Sequence, residues 1–186
     1  MKINNLTKKF GEKIIFDNFS LDIPDGKITF IMGESGSGKT TLLRLISGLD
    51  KEFNGEIIKN TDKISCVFQE PRLFPALNAS DNIEIVNKGG NLDITDVLKL
   101  VELENDATLF PAELSGGMKM RLSIARALYY NGDIFIMDEP FTALDEELKD
   151  RILPGIFESL TGKTVLIVSH SIEDAEKYAD NIIKIK

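Results

Sequence analysis

Tryptophan is absent from this sequence, and cysteine and histidine occur once each, as Cys66 and His170. A single thiol closes no internal disulfide, and one thiol plus one imidazole leaves no ligand set for structural zinc. No apolar run approaches the roughly 18 residues that a membrane span requires. The opening residues, Met1-Lys2-Ile3-Asn4-Asn5, lack the hydrophobic core of a signal peptide. Positive charge is also in deficit: 22 Lys+Arg face 30 Asp+Glu, a formal net charge of −8. That balance argues against a general nucleic-acid binder, because phosphate backbones attract basic surfaces. With no repeat, low-complexity tract or Pro/Gly-rich linker, the 186 residues are expected to form one domain in a reducing cytoplasm. The N-x-[ST] matches at Asn5, Asn18 and Asn78 are then chance.

What is present is the mixture of a globular α/β chain, 42 % hydrophobic and 28 % charged. Phe19, Leu21 and Ile23 alternate with polar residues, as in a half-exposed antiparallel strand. Pro24-Asp25-Gly26 makes a turn, and Lys27–Met32 then reads as a buried parallel strand. A helix is expected over Thr40–Ser47, burying Leu42, Leu43, Leu45 and Ile46 and ending at Gly48. Further strands are expected at Lys63–Phe68, Asp133–Met137, Thr164–Val168 and Asn181–Ile185. Helices are expected near Leu92–Leu103, Gly117–Tyr129, Asp145–Leu160 and Ser171–Ala179, with a kink or break at Pro154-Gly155. This alternation implies a parallel sheet covered on both faces. From about Pro71 to Ala125 no good strand is visible, so that stretch reads as a helical lobe.

Gly33-Glu34-Ser35-Gly36-Ser37-Gly38-Lys39-Thr40 matches G-x-x-x-x-G-K-[ST] in full, directly after a buried strand and opening a helix. Glycines let successive backbone N–H groups curl around a phosphate, and the helix N-terminus adds its partial positive charge. Lys39 is placed to reach the β- and γ-phosphates, and the Thr40 hydroxyl to ligate Mg²⁺. This predicts a Mg-nucleotide site without choosing among the enzymes that share the loop.

A second constellation ends the apolar strand Ile134–Met137 in two carboxylates, Asp138 and Glu139. Strand C-termini in a parallel sheet gather where the phosphate loop lies. Asp138 is thereby expected near Mg²⁺, and Glu139 near the water that attacks the γ-phosphate. Gln69 ends another strand at the same edge; alone it reads as a polar cap. Leu114-Ser115-Gly116-Gly117-Met118 opens a long helix containing Arg121. In isolation Ser-Gly-Gly is a plain N-cap, yet its free N–H groups also suit an anion. His170 follows Thr164–Val168 and is either a γ-phosphate or Glu139 partner, or a cap for the next helix. Cys66 reads as inert core.

In this order, the set resembles the ATP-binding subunit of ABC transporters over essentially the whole chain. Gly33–Thr40 corresponds to Walker A, Gln69 to the Q-loop, Leu114–Met118 to the signature, and Asp138-Glu139 to Walker B with its catalytic glutamate. Ala143-Leu144-Asp145 corresponds to the D-loop and His170 to the switch histidine. The resemblance implies a P-loop NTPase parallel-sheet core with an N-terminal antiparallel β subdomain and an inserted helical lobe. It implies ATP held by Phe10, Gly33, Glu34, Ser35, Gly36, Ser37, Gly38, Lys39, Thr40 and Thr41 of one protomer, with Phe10 stacking on adenine. Ser115, Gly116 and Gly117 of a head-to-tail partner would close over the same ATP. Mg²⁺ would be held by Thr40, Gln69 and Asp138, with Glu139 and His170 catalytic.

Three departures stand out. Met118 replaces the more usual glutamine of the signature, Phe10 replaces tyrosine, and the chain is short, with no C-terminal regulatory extension expected. The resemblance further implies separate membrane-spanning permease subunits, docked beside Glu70-Pro71-Arg72-Leu73-Phe74-Pro75, with the protein peripheral on the inner face of the membrane. That stretch looks most like importers of small anions or organosulfur nutrients. Competing readings are an ABC-type ATPase acting on DNA or ribosomes, a small-molecule P-loop kinase, and a regulator that binds nucleotide without hydrolysing it. The first usually carries coiled coils or paired ATPase domains, the second leaves Leu114–Met118 and His170 unexplained, and an intact Glu139 disfavours the third.

Overall fold

The computed structural model describes residues 1–86 and 92–185. Alternating apolar residues build two strands at the start, β1 (Lys2–Phe10) and β2 (Lys13–Asp22), which pair antiparallel across Gly11-Glu12 with Phe10 opposite Lys13. The apolar strand β3 (Ile28–Gly33) leads through the phosphate loop into α1 (Lys39–Ile46). Leu42, Leu43, Leu45 and Ile46 are the buried stripe of α1, each worth about 1.5–3 kcal/mol of transfer free energy. β4 (Asn54–Ile58) then returns to pair antiparallel with β1. The remaining strands are β5 (Ile64–Val67), β6 (Ile134–Asp138), β7 (Thr164–Val168) and β8 (Asn181–Ile185).

These eight strands form a three-stranded sheet ordered β2-β1-β4 and a five-stranded parallel sheet ordered β5-β6-β7-β3-β8. Period-two alternation divides the core between the two faces of the parallel sheet. Phe30, Phe135, Met137, Val165 and Ile167 pack into one cluster, with Leu122, Ile124, Leu153 and Ile156. Ile31, Ile136, Leu166 and Val168 pack into the other, with α1 and the inner residues of the antiparallel sheet, Ile3, Leu6 and Phe16. Because both faces are covered, the parallel strands are apolar throughout.

Between β5 and β6 the described residues form α2 (Ala79–Glu84), α3 (Ile94–Leu100) and α4 (Gly116–Tyr130), with no strand among them. Residues 87–91 of the expected helical stretch lie outside the described residues. After β6 come α5 (Glu146–Ser159) and, after β7, α6 (Ile172–Tyr178). Ser115, Asp145 and Ser171 cap α4, α5 and α6 by accepting from the backbone N–H three residues on.

Two local expectations fail. Apart from its proposed role, Leu6–Phe10 would pass for an ordinary edge strand; it lies within the central strand of its sheet, because β4 adds to β1 on the side away from β2. β4 itself, carrying Asn54, Gly55 and Glu56, shows little strand character in sequence and forms through its partner. The break expected at Pro154 does not occur, since α5 runs unbroken through it. Pro154 and Asp150 both face solvent, so the Asp150 carbonyl deprived of a helical donor can hydrogen-bond to water.

Candidate functional site

The phosphate loop is shaped by what surrounds its glycines. Gly38, the residue before α1, has φ +94°, and a Cβ there would lie 2.7 Å from Ile15 Cγ2 and 2.8 Å from Phe16 Cζ. A Cβ at Gly33 would fall 2.2 Å from the Ile185 carbonyl oxygen. Only glycine fits at these points, Gly38 against β2 of the other sheet and Gly33 against β8 of its own. The Lys39 side chain curls back over the loop, its Nζ donating to the carbonyls of Gly33 at 2.9 Å and Glu34 at 2.7 Å. The ammonium is thereby held, nearly buried, at the mouth of the loop.

Asp138 ends β6 beside this loop and is 5 % exposed. Its Oδ1 is buried with no hydrogen-bond partner among the described residues. Burial pushes its carboxyl above the ordinary carboxylate value. The adjacent Glu139 charge adds to that rise, and the Thr40 hydroxyl, Arg44 and Lys39 oppose it. An orphaned, desolvated carboxylate oxygen next to a threonine hydroxyl has the chemistry to hold a hard cation such as Mg²⁺. No cluster of three or more His, Cys, Asp or Glu suited to a metal occurs among the described residues.

Glu139 takes a left-handed backbone, φ +51°, which costs a non-glycine residue about 1 kcal/mol or more. Its N–H donates to Val168 of β7 at 2.9 Å, anchoring the turn. The turn aims the carboxylate at His170, whose Nε2 lies 3.1 Å from Glu139 Oε1. Glu139 is largely covered and His170 about half exposed, so the pair has one dry and one open side. Ser169 separates β7 from His170, and its hydroxyl accepts from the Ser171 N–H. Capping of α6 thus falls to Ser169 and Ser171, and the imidazole is left for Glu139.

Ser35, Gly36, Gly38, Lys39, Thr40, Thr41, Gln69, Glu139 and His170 line one cleft of about 340 Å³, walled on its far side by Lys13 and Ile15 of β2. A second hollow joins it through Thr40 and Gln69, and is lined also by Asp138, Arg44 and Arg72. The residues from the phosphate loop, β5, β6 and β7 therefore meet at one sheet edge. Gly33 and Glu34 instead line a hollow with Ile172, Ile182 and Ile185, Ser37 is not among the lining residues of the cleft, and two further elements stand outside it. Phe10, 52 % exposed, lies on a neighbouring hollow with Lys8, Arg44 and Asp50, and the Lys8 ammonium sits 4.7 Å from its ring. Ser115, Gly116 and Gly117 lie at the start of α4, packed against the Ala143–Leu144 segment, with Ser115 and Gly116 open to solvent. Lys13 and Ile15 are lining residues that sequence spacing did not single out. They arrive from another sheet, and no local pattern marks such a contact.

The loop after Gln69 is held by Asn82, which is fully buried. Its Oδ1 accepts from Phe74 N at 2.8 Å, and its Nδ2 donates to the carbonyls of Phe74, Leu77 and Asn78. Leu73 turns inward onto the core while Phe74 stays exposed.

Comparison with known proteins gives a consistent result. The family model described as ABC transporter matches residues 16–142. The aliphatic sulfonates import ATP-binding protein SsuB 2 of Rhodococcus jostii (strain RHA1) is 34 % identical over 189 residues, covering 98 % of this chain and 77 % of that protein. The sulfate/thiosulfate import ATP-binding protein CysA of Escherichia coli (strain K12) is 36 % identical over 207 residues, and the chain spans 56 % of its length. Among solved structures, the dimeric post-hydrolysis state of the ATP-binding cassette MJ0796 bound to ADP and Pi matches with a TM-score of 0.87. The two are 36 % identical, and the match covers 100 % of this chain and 94 % of that one. The chain therefore belongs to the ABC transporter family and is an ATPase cassette of that family.

Proposed function

We propose that two copies of this chain, or one copy and a close homologue, hydrolyse ATP head to tail and drive import of a small anionic solute through separate membrane-spanning permease subunits. The observation that carries the reading is the split of the anion-binding elements. Ser35, Gly36, Gly38, Lys39, Thr40, Thr41, Gln69, Glu139 and His170 line one cleft and Asp138 the hollow that adjoins it, while the Ser115-Gly116-Gly117 helix start is exposed elsewhere. A second copy supplies the missing helix start to the γ-phosphate held by the first. Dimeric solved relatives support that geometry. The names of the sulfonate and sulfate relatives support import and an oxyanion class of solute.

The roles follow from position. Lys39 exchanges its loop carbonyls for the β- and γ-phosphates, and Phe10 stacks on the base. Thr40, Asp138 and Gln69 hold Mg²⁺, which when bound neutralises charge on the β- and γ-phosphate oxygens. Glu139 accepts a proton from water as that water's oxygen bonds to the γ-phosphorus. The β–γ bridging P–O bond breaks, leaving ADP and inorganic phosphate. His170 fixes the Glu139 carboxylate and faces the same phosphate. The helical stretch from about Pro71 to Ala125 acts as a lobe of the single 1–186 domain. Its exposed Phe74, with Arg72, forms a permease-docking surface on the cytoplasmic side of the membrane. None of the helices among the described residues is long and apolar enough to cross a membrane.

The test is sedimentation of Glu139→Gln protein with and without nucleotide. Two chains each carrying −8 repel, so a dimer is expected with Mg-ATP and a monomer without it. The same dimer in the absence of nucleotide, or none with it, refutes the ATP-bridged arrangement.

A further inference from the structure

One cation of the cleft belongs to none of these motifs. Lys13 starts β2, lines the cleft with Ser35, Gly36, Lys39 and Glu139, and has no ion-pair partner among the described residues. Its placement follows from packing. Ile15 and Phe16 both press on Gly38, the pairing with β1 slipping by one residue at Ile15, and Lys13 lines the cleft beside Ile15, which brings β2 against the phosphate loop. Across the hairpin, Lys13 is paired with Phe10, and residues directly opposite in an antiparallel pair share a face.

These neighbours locate Lys13 along a bound nucleotide. The Glu139–His170 pair marks the γ end of the cleft, Lys39 the β- and γ-phosphates, and Phe10 the base. Lys13 lines the cleft with Lys39 and is paired with Phe10, so on the proposed reading it stands on the stretch between base and β-phosphate, which the α-phosphate would occupy. In a chain of net charge −8 that binds an anion, an uncommitted cation at this point adds local attraction that Lys39 alone does not supply.

We propose that Lys13 is a nucleotide-binding residue whose ammonium pairs with the α-phosphate, at the hairpin that also presents Phe10. The inference rests on the reading of this cleft as the ATP site. It has a specific consequence: an α-phosphate contact serves ATP and ADP alike, whereas a γ-phosphate contact serves ATP only.

The experiment measures dissociation constants for Mg-ATP and Mg-ADP by titration calorimetry on the wild-type chain, Lys13→Gln, Lys13→Arg, Lys9→Gln and Lys39→Ala. Lys9 is an exposed β1 lysine paired with Ile14, one step out of phase with Phe10 and Lys13, and controls for the general field. Lys13→Gln is expected to weaken both nucleotides by the same factor, about two- to five-fold at low ionic strength, as for one exposed ion pair. Lys13→Arg should restore affinity, Lys9→Gln should match wild type, and the Lys13→Gln effect should shrink in about 0.5 M salt. Unchanged constants in Lys13→Gln, loss for ATP alone, or equal loss in Lys9→Gln overturns the proposal. Nucleotide affinity that survives Lys39→Ala refutes the cleft reading itself, and the inference with it.

Discussion

Asp138 is a place where the fold has given up stability to hold a reactive group, and Asp138→Asn measures how much. The side chain is 5 % exposed and leaves Oδ1 without a donor. A buried polar atom left unpaired costs about 1–3 kcal/mol, more when charged. Asparagine keeps the shape, an acceptor for the Thr40 hydroxyl and one unpaired polar atom, so the substitution recovers only the excess that the charge adds, on the order of the same 1–3 kcal/mol. In a chain of this size each kcal/mol moves the melting midpoint by about 2–4 °C, so Asp138→Asn should raise the nucleotide-free Tm by about 2–12 °C. The pH dependence has a definite sign. Burial raises the folded-state pKa above the unfolded value of 3.8, so the protonated form is the one the fold prefers. The destabilisation is absent below the unfolded pKa and develops as pH rises through the folded pKa. The advantage of asparagine should therefore be full above the folded-state pKa and fade as pH falls toward the unfolded value. The assay is calorimetric melting of both proteins at several pH values, with and without Mg-ATP. Wild type should gain Tm with Mg-ATP by mass action, and the variant should lose most of that gain. A variant that melts at or below wild type without nucleotide at pH 7, or that keeps the full Mg-dependent gain, refutes the argument.

Other outcomes are equally direct. Glu139→Gln should bind ATP with wild-type affinity and hydrolyse it orders of magnitude more slowly, as read by phosphate release; unchanged turnover removes Glu139 from the base role. Asn82→Ala should cost about 2–5 kcal/mol in urea unfolding, because it leaves several backbone groups of the 74–78 loop unpaired; a loss under about 1 kcal/mol would show that the loop holds its own shape. The Cys66 thiol, pushed up to about 11 by burial, should react very slowly with a disulfide reagent at pH 8 and rapidly once the chain is unfolded. Equal rates in the two states would contradict its packing within β5.

Much of this was legible along the chain because the signals are local. The phosphate loop advertises itself by glycine spacing, and the boundaries of β7 and β8 follow from apolar runs with few alternatives. Gly48, Ser115, Asp145 and Ser171 mark helix ends by chemistry confined to one turn. Where a signal depends on a distant partner, local reading falls short. β4 is a strand only because β1 offers an unpaired edge, and α5 keeps its helix through Pro154 because the orphaned carbonyl faces water.

The sequence by itself determined which chemical groups this protein has and in what order, since motif spacing constrains backbone within a strand–loop–helix unit. The tertiary structure decided what those groups do to one another. It buries Asp138 without a donor, twists Glu139 toward His170 and leaves the Ser115 turn away from the cleft. It also lays β2 across Gly38 so that Lys13 joins the cleft. Desolvation, backbone strain and contact between sheets arise only when segments far apart in the chain are packed together, which no spacing along one strand can encode.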